Sequence, residues 1–226
     1  SLGAKISIEK NKVIIKGTGV GNLQSPKKPI FMGNSGTGAR LLIGLVAGSN
    51  AVATFYGDTS LNERPMNRII EPLMKMGAEF IFAEGKRLPI TVIGARRRGF
   101  TMPIKYKMPI ASAQVKSAIL LSALSARGRS IIKEPEKTRN NTESMLLKRG
   151  ADIKTKKSNL GINTIEIKGV SHIKNIDIKV PGDPSSAIFL AVAALITKNS
   201  KITINNVFYD EMRLKVFQVL KKMGGK

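Results

Sequence analysis

The sequence predicts a mixed α/β (α+β) fold made of repeated β-α-β-α-β-β units with buried helices, and three observations lead there. One order of segments recurs three times along the 226 residues: a small-residue-rich apolar helix, a short β-branched strand, a charged turn and an amphipathic helix. Each amphipathic helix closes on a glycine, and these glycines, Gly77, Gly150 and Gly224, are 73 and 74 residues apart. Between the units lie stretches of alternating apolar and polar residues, the pattern of half-buried strands.

Taken in order, the chain opens with such a stretch at residues 5–17, turning at Glu9 to Lys12. The first repeat runs from GNSGTGARLLIGLVAG through AVATFYG to RPMNRIIEPLMKMGAEF, and strands follow over 79–94 with a turn at Glu84 to Lys86. The second is SAQVKSAILLSALSARG, SIIKEP and NNTESMLLKRGADI, followed by strands over 152–168 that turn at Lys157 to Asn163. The third is GDPSSAIFLAVAALI, KITINNV and EMRLKVFQVLKKMGG. Leu41 to Val46, Ile119 to Leu124 and Ile188 to Ile196 are apolar or small almost all round, which predicts burial on most sides. Leu73 with Met76, Met145 with Leu146, and Val216 with Val219 and Leu220 predict single buried stripes on the second helices. The closing glycines sit where a left-handed residue ends a helix at least steric cost. The chain starts with only the two closing strands of a unit and stops just after the second helix of another, so the fold is expected to be truncated.

Composition narrows the chemistry. With no Cys and one His, thiolate metal sites and disulfides are excluded and a His-based cage or triad nearly so. No apolar run reaches the 18 or so residues that span a bilayer, so no membrane role and a cytoplasmic location are expected. Lys and Arg number 38 against 15 Asp and Glu, a formal charge of +23. That charge suits anionic partners, and a basic nucleic-acid-binding protein is one alternative. Aromatics are only 5% and the basic residues are scattered without a stacking platform, which argues against it.

The motifs sharpen this. GNSGTGAR is a Gly-rich turn into a helix, a geometry that presents free N–H groups to an anion, although spacing alone favours an ordinary capped helix start with no ligand. Arg64 stands in a loop before a helix, where a guanidinium can pair bidentately with phosphate or carboxylate, or simply face solvent. Ser112, Ala113 and Gln114 precede the second buried helix, and Lys116 reads equally as added phosphate-binding charge or as a snorkelling side chain.

GNSGTGARL (33–41), GDTSLNERPM (57–66), ASAQVKSAILLSAL (111–124), EPEKTRNNTE (134–143) and VPGDPSSA (180–187) occur in order, and together the chain resembles the 5-enolpyruvylshikimate-3-phosphate synthase family over essentially its whole length. The resemblance implies the enolpyruvyl transferase fold, with two domains and an active site between them. Residues 1–175 would be most of the first, shikimate-3-phosphate-binding domain and 176–226 the beginning of the second, with a hinge near 174–182. It implies transfer of the enolpyruvyl group of phosphoenolpyruvate to the 5-hydroxyl of shikimate 3-phosphate, in the pathway to chorismate and aromatic amino acids, without a cofactor or metal. Ser112, Ala113, Gln114 and Arg139 would hold shikimate 3-phosphate. Gly36, Arg64 and Gln114 would hold phosphoenolpyruvate, with Asn34, Thr37 and Arg40 supporting the turn.

Asn140 and Asn141 depart from the family's usual Asp-His, which puts the local hydrogen bonds in question, while Thr142 and Glu143 follow the pattern. Asp183 or Ser185 would cap the third buried helix, and His172 reads as a loop residue without a catalytic part. The resemblance also implies an N-terminal Lys-Ser with an Arg a few residues later, binding both substrates, and an Asp and a Lys from the later part of the second domain as acid and base. The 226 residues contain none of these, so the catalytic residues stay unassigned and this chain alone is expected to be inactive: a remnant, one part of a split enzyme or a fragment. A complementary chain, or self-association through an uncovered third helix, is expected. The sister enzyme acting on UDP-N-acetylglucosamine is a second alternative, weakened by the missing loop Cys and by the SAQVKSA string.

Overall fold

A computed structural model of the chain describes residues 1–10, 12–157 and 162–225. It divides into two compact units, Ser1–Asn175 and Ile176–Lys226. The first opens with an antiparallel hairpin of β1 (Lys5–Glu9) and β2 (Lys12–Lys16), in which Ile6 faces Ile15 and Ile8 faces Val13. Part of the turn expected there, Asn11, lies outside the described residues.

The first repeat comprises β3 (Ile30–Phe31), α1 (Gly36–Ala47), β4 (Val52–Tyr56), the short α2 (Thr59–Asn62), α3 (Asn67–Lys75), β5 (Glu79–Ala83) and β6 (Arg87–Ile93). Its sheet has the order β3-β4-β6-β5, with β3 parallel to β4 and the other pairs antiparallel. The second repeat follows with β7 (Lys105–Lys107), α4 (Ala113–Ala123), β8 (Arg129–Glu134), α5 (Asn141–Lys148), β9 (Ile153–Lys157) and β10 (Asn163–Lys168). Its order, β7-β8-β10-β9, and its strand senses are the same. The repeat seen in the sequence is therefore a repeat of hydrogen-bonding topology. Of the turn expected between β9 and β10, residues 158–161 lie outside the described ones.

The closing glycines do what their spacing suggests. Gly77, Gly150 and Gly224 take φ of 96°, 80° and 99°. Each donates its N–H three residues back, to Met74, Leu147 and Lys221, while the next residue reaches the carbonyl of Leu73, Leu146 or Leu220. This double bond pattern satisfies carbonyls that a helix end leaves free, and it needs a left-handed residue at the glycine.

The core of the first unit sits around α1 and α4. Helix α1 packs on β4 and β6, α4 packs on β8 and β10, and the two helices pack on each other, which places the pair between the sheets. Inward positions on β6 (Leu88, Ile90, Val92) and β10 (Ile165, Ile167) are buried in alternation, with Ile43 and Ile119 from the helices wholly enclosed. Both helices are buried as expected. Their seam is close: a Cβ on Gly44 would lie 2.4 Å from the Ala118 carbonyl oxygen, and one on Gly48 would lie 2.6 Å from that of Ser122. Partner positions advance together along both helices, so the helices run parallel, and partners are 74 residues apart. Equivalent positions of two repeats thus meet face to face.

In the second unit, α6 (Pro184–Ile196) and α7 (Glu211–Lys222) follow a loop that carries the exposed His172 on the first unit's side. Asp183 is the cap of α6, accepting from the Ser185 N–H at 3.2 Å. Two expectations fail, one nearby and one in the second helices. KITINNV forms no strand, only a parallel bridge between Gly182 and Val207, because Asn206 turns to φ 57° and no further strand flanks it among the described residues. Helix α6 is the uncovered third helix expected, although its apolar pattern alone reads as an inner helix: only Pro184 and Ala187 are buried, while Phe189 and Ile196 are 77% and 80% exposed. Met145 and Val219 are about half exposed although Leu146 is buried, since each helix buries a narrower stripe than its apolar residues suggest.

Candidate functional site

Because α1 and α4 run parallel, their N-termini meet at one end of the seam. Each helix brings uncommitted N–H groups and a partial positive charge there, so the arrangement favours an anion. Ser35 caps α1, its hydroxyl accepting from the Gly38 N–H at 3.1 Å. Ser112 caps α4 in the same way, accepting from Val115 N–H at 3.4 Å. The Ser112 hydroxyl and the Ala113 backbone therefore stand in the first turn of α4.

Gln114 ties the two ends together. Its Oε1 accepts from Arg40 Nη1 at 2.9 Å, and its Nε2 donates to Thr37 Oγ1 at 2.7 Å. Arg40 also donates to the Gly36 carbonyl at 3.2 Å and to that of Pro65 at 3.4 Å. Arg64 donates to Asn34 Oδ1 and to Ser60 Oγ. A Cβ on Gly36 would lie 3.0 Å from both Arg40 Nη1 and Arg64 Nη1, so the two guanidiniums flank bare backbone at the helix start. Gly36, Asn34, Thr37, Arg40, Arg64 and Gln114 are thus brought into one cluster.

The loop before Arg64 is held from within. Asp58 caps α2 by accepting from Leu61 N–H at 2.8 Å, and the Asn62 side chain bonds the N–H and carbonyl of Gly57 at 2.8 and 3.1 Å. Arg64 N–H then donates to the Leu61 carbonyl at 3.1 Å, which fixes where its side chain departs. The reading of Asn34 and Thr37 as the residues that fix the α1 turn needs amending. Ser35 caps it, and Asn34 and Thr37 direct their side chains to Arg64 and Gln114. Ser35 was legible as a cap, being a hydroxyl residue one position before the helix.

The cluster is cationic. Among the described residues neither Arg40, Arg64 nor Arg68 forms an ion pair with a carboxylate. Burial first, then repulsion from Arg64 and Arg68, hold the Arg40 guanidinium below its ordinary pKa. A bound anion would relieve that repulsion.

Arg139 stands apart. It is exposed, and among the described residues it has no hydrogen bond or ion pair. The segment that carries it is anchored on both sides, by Thr138 to Glu134 and by the Thr142 hydroxyl to Ser117 Oγ at 2.7 Å. Asn140 stands at the N-cap of α5 with φ −107° and ψ 22° and makes no side-chain capping bond.

Lys116 takes neither role offered by the sequence. It is fully buried, with Nζ 3.2 Å from Glu134 Oε2 and 2.6 Å from Glu143 Oε1. Its charge is engaged by those carboxylates, and it neither snorkels nor faces the helix N-termini. Nothing in the local spacing links Lys116 to Glu134, which lies one strand further on. Among the described residues no group of three His, Cys, Asp or Glu side chains is placed to hold a metal ion, and no helix is long and apolar enough to cross a membrane.

Comparison with known proteins gives one answer along the whole chain. A family model described as EPSP synthase (3-phosphoshikimate 1-carboxyvinyltransferase) matches residues 1–226. A 3-phosphoshikimate 1-carboxyvinyltransferase of Parvibaculum lavamentivorans is 48% identical over 211 residues, 93% of this chain and 46% of that protein. One from Zymomonas mobilis is 47% identical over 226 residues, 100% of this chain and 49% of its own. A solved structure of EPSP synthase from Acinetobacter baumannii superposes with a TM-score of 0.83 at 39% identity, covering 99% of this chain and 49% of that one. The chain spans about half the length of the curated relatives it matches.

Proposed function

The chain belongs to the EPSP synthase (3-phosphoshikimate 1-carboxyvinyltransferase) family, and from that premise we propose that it supplies the anion-holding face on which phosphoenolpyruvate and shikimate 3-phosphate meet for enolpyruvyl transfer. The observation that carries this reading is the meeting of two parallel helix N-termini beside Arg40 and Arg64, tied together by Gln114. Gly36 offers backbone against phosphoenolpyruvate, and Arg64 a planar guanidinium for its phosphate or carboxylate. Ser112 Oγ, the Ala113 N–H and the Gln114 amide would receive the 3-phosphate of shikimate, with Arg139 closing from its loop.

In the reaction the 5-hydroxyl oxygen of shikimate 3-phosphate bonds to the substituted carbon of phosphoenolpyruvate while a proton goes to the methylene carbon. The bond from that carbon to the phosphate oxygen then breaks, the methyl carbon gives up a proton to restore the C=C bond, and inorganic phosphate leaves with a proton that balances the one lost from the 5-hydroxyl. On this reading the residues named here hold two anions at bonding distance despite their mutual repulsion, a substantial share of the barrier for a two-substrate reaction. No acid or base is assigned among them. The reading carries a cytoplasmic location with it.

Calorimetric titration tests this. The folded chain is expected to bind phosphoenolpyruvate, and Arg64→Lys to weaken that binding by roughly 10-fold, because an ammonium cannot reproduce a bidentate guanidinium contact. No heat from either anion at millimolar concentration, with the chain folded, would refute the assignment.

The exposed apolar residues of α6 and the hairpin face of Ile6, Ile8, Val13 and Ile15 bear on association. Each lies in its own unit, and an exposed apolar patch of either kind marks an interface. This chain is expected to self-associate through the α6 face, read as a concentration-dependent sedimentation coefficient. A monomer that binds no hydrophobic dye would contradict that.

A further inference from the structure

We propose that Lys116 is a positioning residue that holds the Arg139 segment in place for shikimate 3-phosphate; the inference rests on the reading of Arg139 as a ligand of that substrate. Strand β8 alternates, with Ser130, Ile132 and Glu134 pointing inward, and β10 does the same with Asn163, Ile165 and Ile167. Glu134 and Asn163 are register partners, so at one end of the sheet two polar side chains occupy inward positions beside the apolar pair Ile132 and Ile165. Both are buried, and Asn163 Nδ2 donates to Glu134 Oε1 at 2.6 Å.

Lys116 enters this corner from α4, less than one turn beyond Gln114. Its Nζ lies 3.3 Å from Glu134 Oε1 and 2.6 Å from Glu143 Oε1. Glu134 in turn receives the segment that leaves the sheet: Thr138 N–H reaches Oε1 at 3.3 Å, and the Thr138 hydroxyl reaches Oε2 at 2.9 Å. Arg139 is therefore flanked by two anchors on the same buried cation. Thr138 acts through Glu134 on its near side, and Glu143 acts directly on its far side. Ser117, next to Lys116, adds the bond to Thr142.

This is more than the packing of a core requires. One cation faces two carboxylates, and Glu143 Oε2 is buried without a hydrogen-bond partner among the described residues. Glu143 lies in the first turn of α5, where the positive helix end offsets the excess negative charge. A buried ion network of this kind is seldom better for stability than apolar side chains of the same size, and its best attested use is to impose one arrangement. Here the arrangement imposed is that of a six-residue segment, 138–143, against the helix whose first turn carries Ser112, Ala113 and Gln114. The exposed Arg139 gains a fixed origin from contacts it does not itself make.

The test weakens one anchor while leaving Lys116, Glu134 and Glu143 in place. Thr138→Val keeps shape and deletes only the hydroxyl bonded to Glu134. It is expected to speed amide exchange across residues 138–142 and to raise the Kd for shikimate 3-phosphate by roughly 3- to 10-fold, the loss of one hydrogen bond. The phosphoenolpyruvate Kd should stay unchanged, since its ligands Gly36, Arg64 and Gln114 make no contact with Thr138, and Gln114 is held instead by Arg40 and Thr37. Thr138→Ser, which keeps the hydroxyl, should restore both readouts, and Lys116→Met, if it folds, should exceed Thr138→Val in both. Unchanged exchange in Thr138→Val would overturn the anchoring itself. A loss shared equally with phosphoenolpyruvate, or a Thr138→Ser chain as weak as the valine variant, would reduce Thr138 to a structural part. If the unsubstituted chain binds phosphoenolpyruvate but not shikimate 3-phosphate, the reading of Arg139 fails, while the exchange measurement still decides the anchoring.

Discussion

Lys116→Met is expected to lose about 3–5 kcal/mol of stability, the usual cost of removing one partner of a buried ion network. The side chain is of similar length and the helix position suits Met, so lost volume or helix propensity contributes little. What remains is Glu134 at zero exposure and Glu143 nearly so, facing each other's charge without the ammonium between them. Domains of this size carry about 5–15 kcal/mol in total, so the variant should unfold at clearly lower urea concentration, or fail to fold at 37 °C. Replacing all three residues together, with Lys116→Met, Glu134→Gln and Glu143→Gln, should recover much of the loss, since no uncompensated charge is then buried. A single-substitution loss below about 1 kcal/mol would mean that the carboxylates find other donors and that the network is weaker than its geometry implies.

Gly44→Ala is the second large effect. The added methyl would lie 2.4 Å from the Ala118 carbonyl oxygen and 2.6 Å from its Cα, and both are backbone atoms of a buried helix that cannot rotate away. The helices must separate, at a cost of about 1–3 kcal/mol or more. Gly48→Ala strikes the same seam one turn on, with 2.6 Å to the Ser122 oxygen, so the double variant should cost less than the two losses added. Gly17→Ala, where a Cβ meets nothing within 4 Å, is the control and should be neutral. Parting α1 from α4 also stretches the 2.9 Å bond between Arg40 and Gln114, so anion affinity should fall along with melting temperature. Unchanged affinity in a destabilised Gly44→Ala chain would show that the helix ends hold their geometry independently of the seam.

Sequence and tertiary structure divided the work along a physical line. Features governed by a few neighbouring residues were legible: the closing glycines, whose left-handed conformation is a local steric matter; the alternation of β6 and β10; the Asp183 cap; and the Gly-rich start of α1. The period of 73 to 74 residues was legible too, but not that positions 74 apart would meet. That became visible only once α1 and α4 were seen packed in parallel. The motif residues Gly36, Arg64 and Gln114 could be singled out by type, whereas the bonds that join Gln114 to both Thr37 and Arg40 depend on two helices far apart in sequence.

The misreadings fall on the other side of the same line. An apolar stretch states that burial would be favourable and says nothing of what is available to cover it, so the pattern of α6 alone reads as an inner helix, while its exposure matches the expected lack of cover. KITINNV has strand-like residues, yet a strand needs a hydrogen-bonding neighbour, and one bridge does not make a ladder. Lys116 is the sharpest case. A lysine near a phosphate-binding motif suggests a ligand, and only the inward pleat of Glu134 on β8 and the position of Glu143 on α5 turn it into a buried counter-ion. By itself the sequence determined the elements, their repetition and the family, because short-range sterics and periodicity write those into neighbouring residues. The tertiary structure alone decided which charges meet, which helices touch and which apolar faces stay open, because those depend on residues brought together from distant parts of the chain.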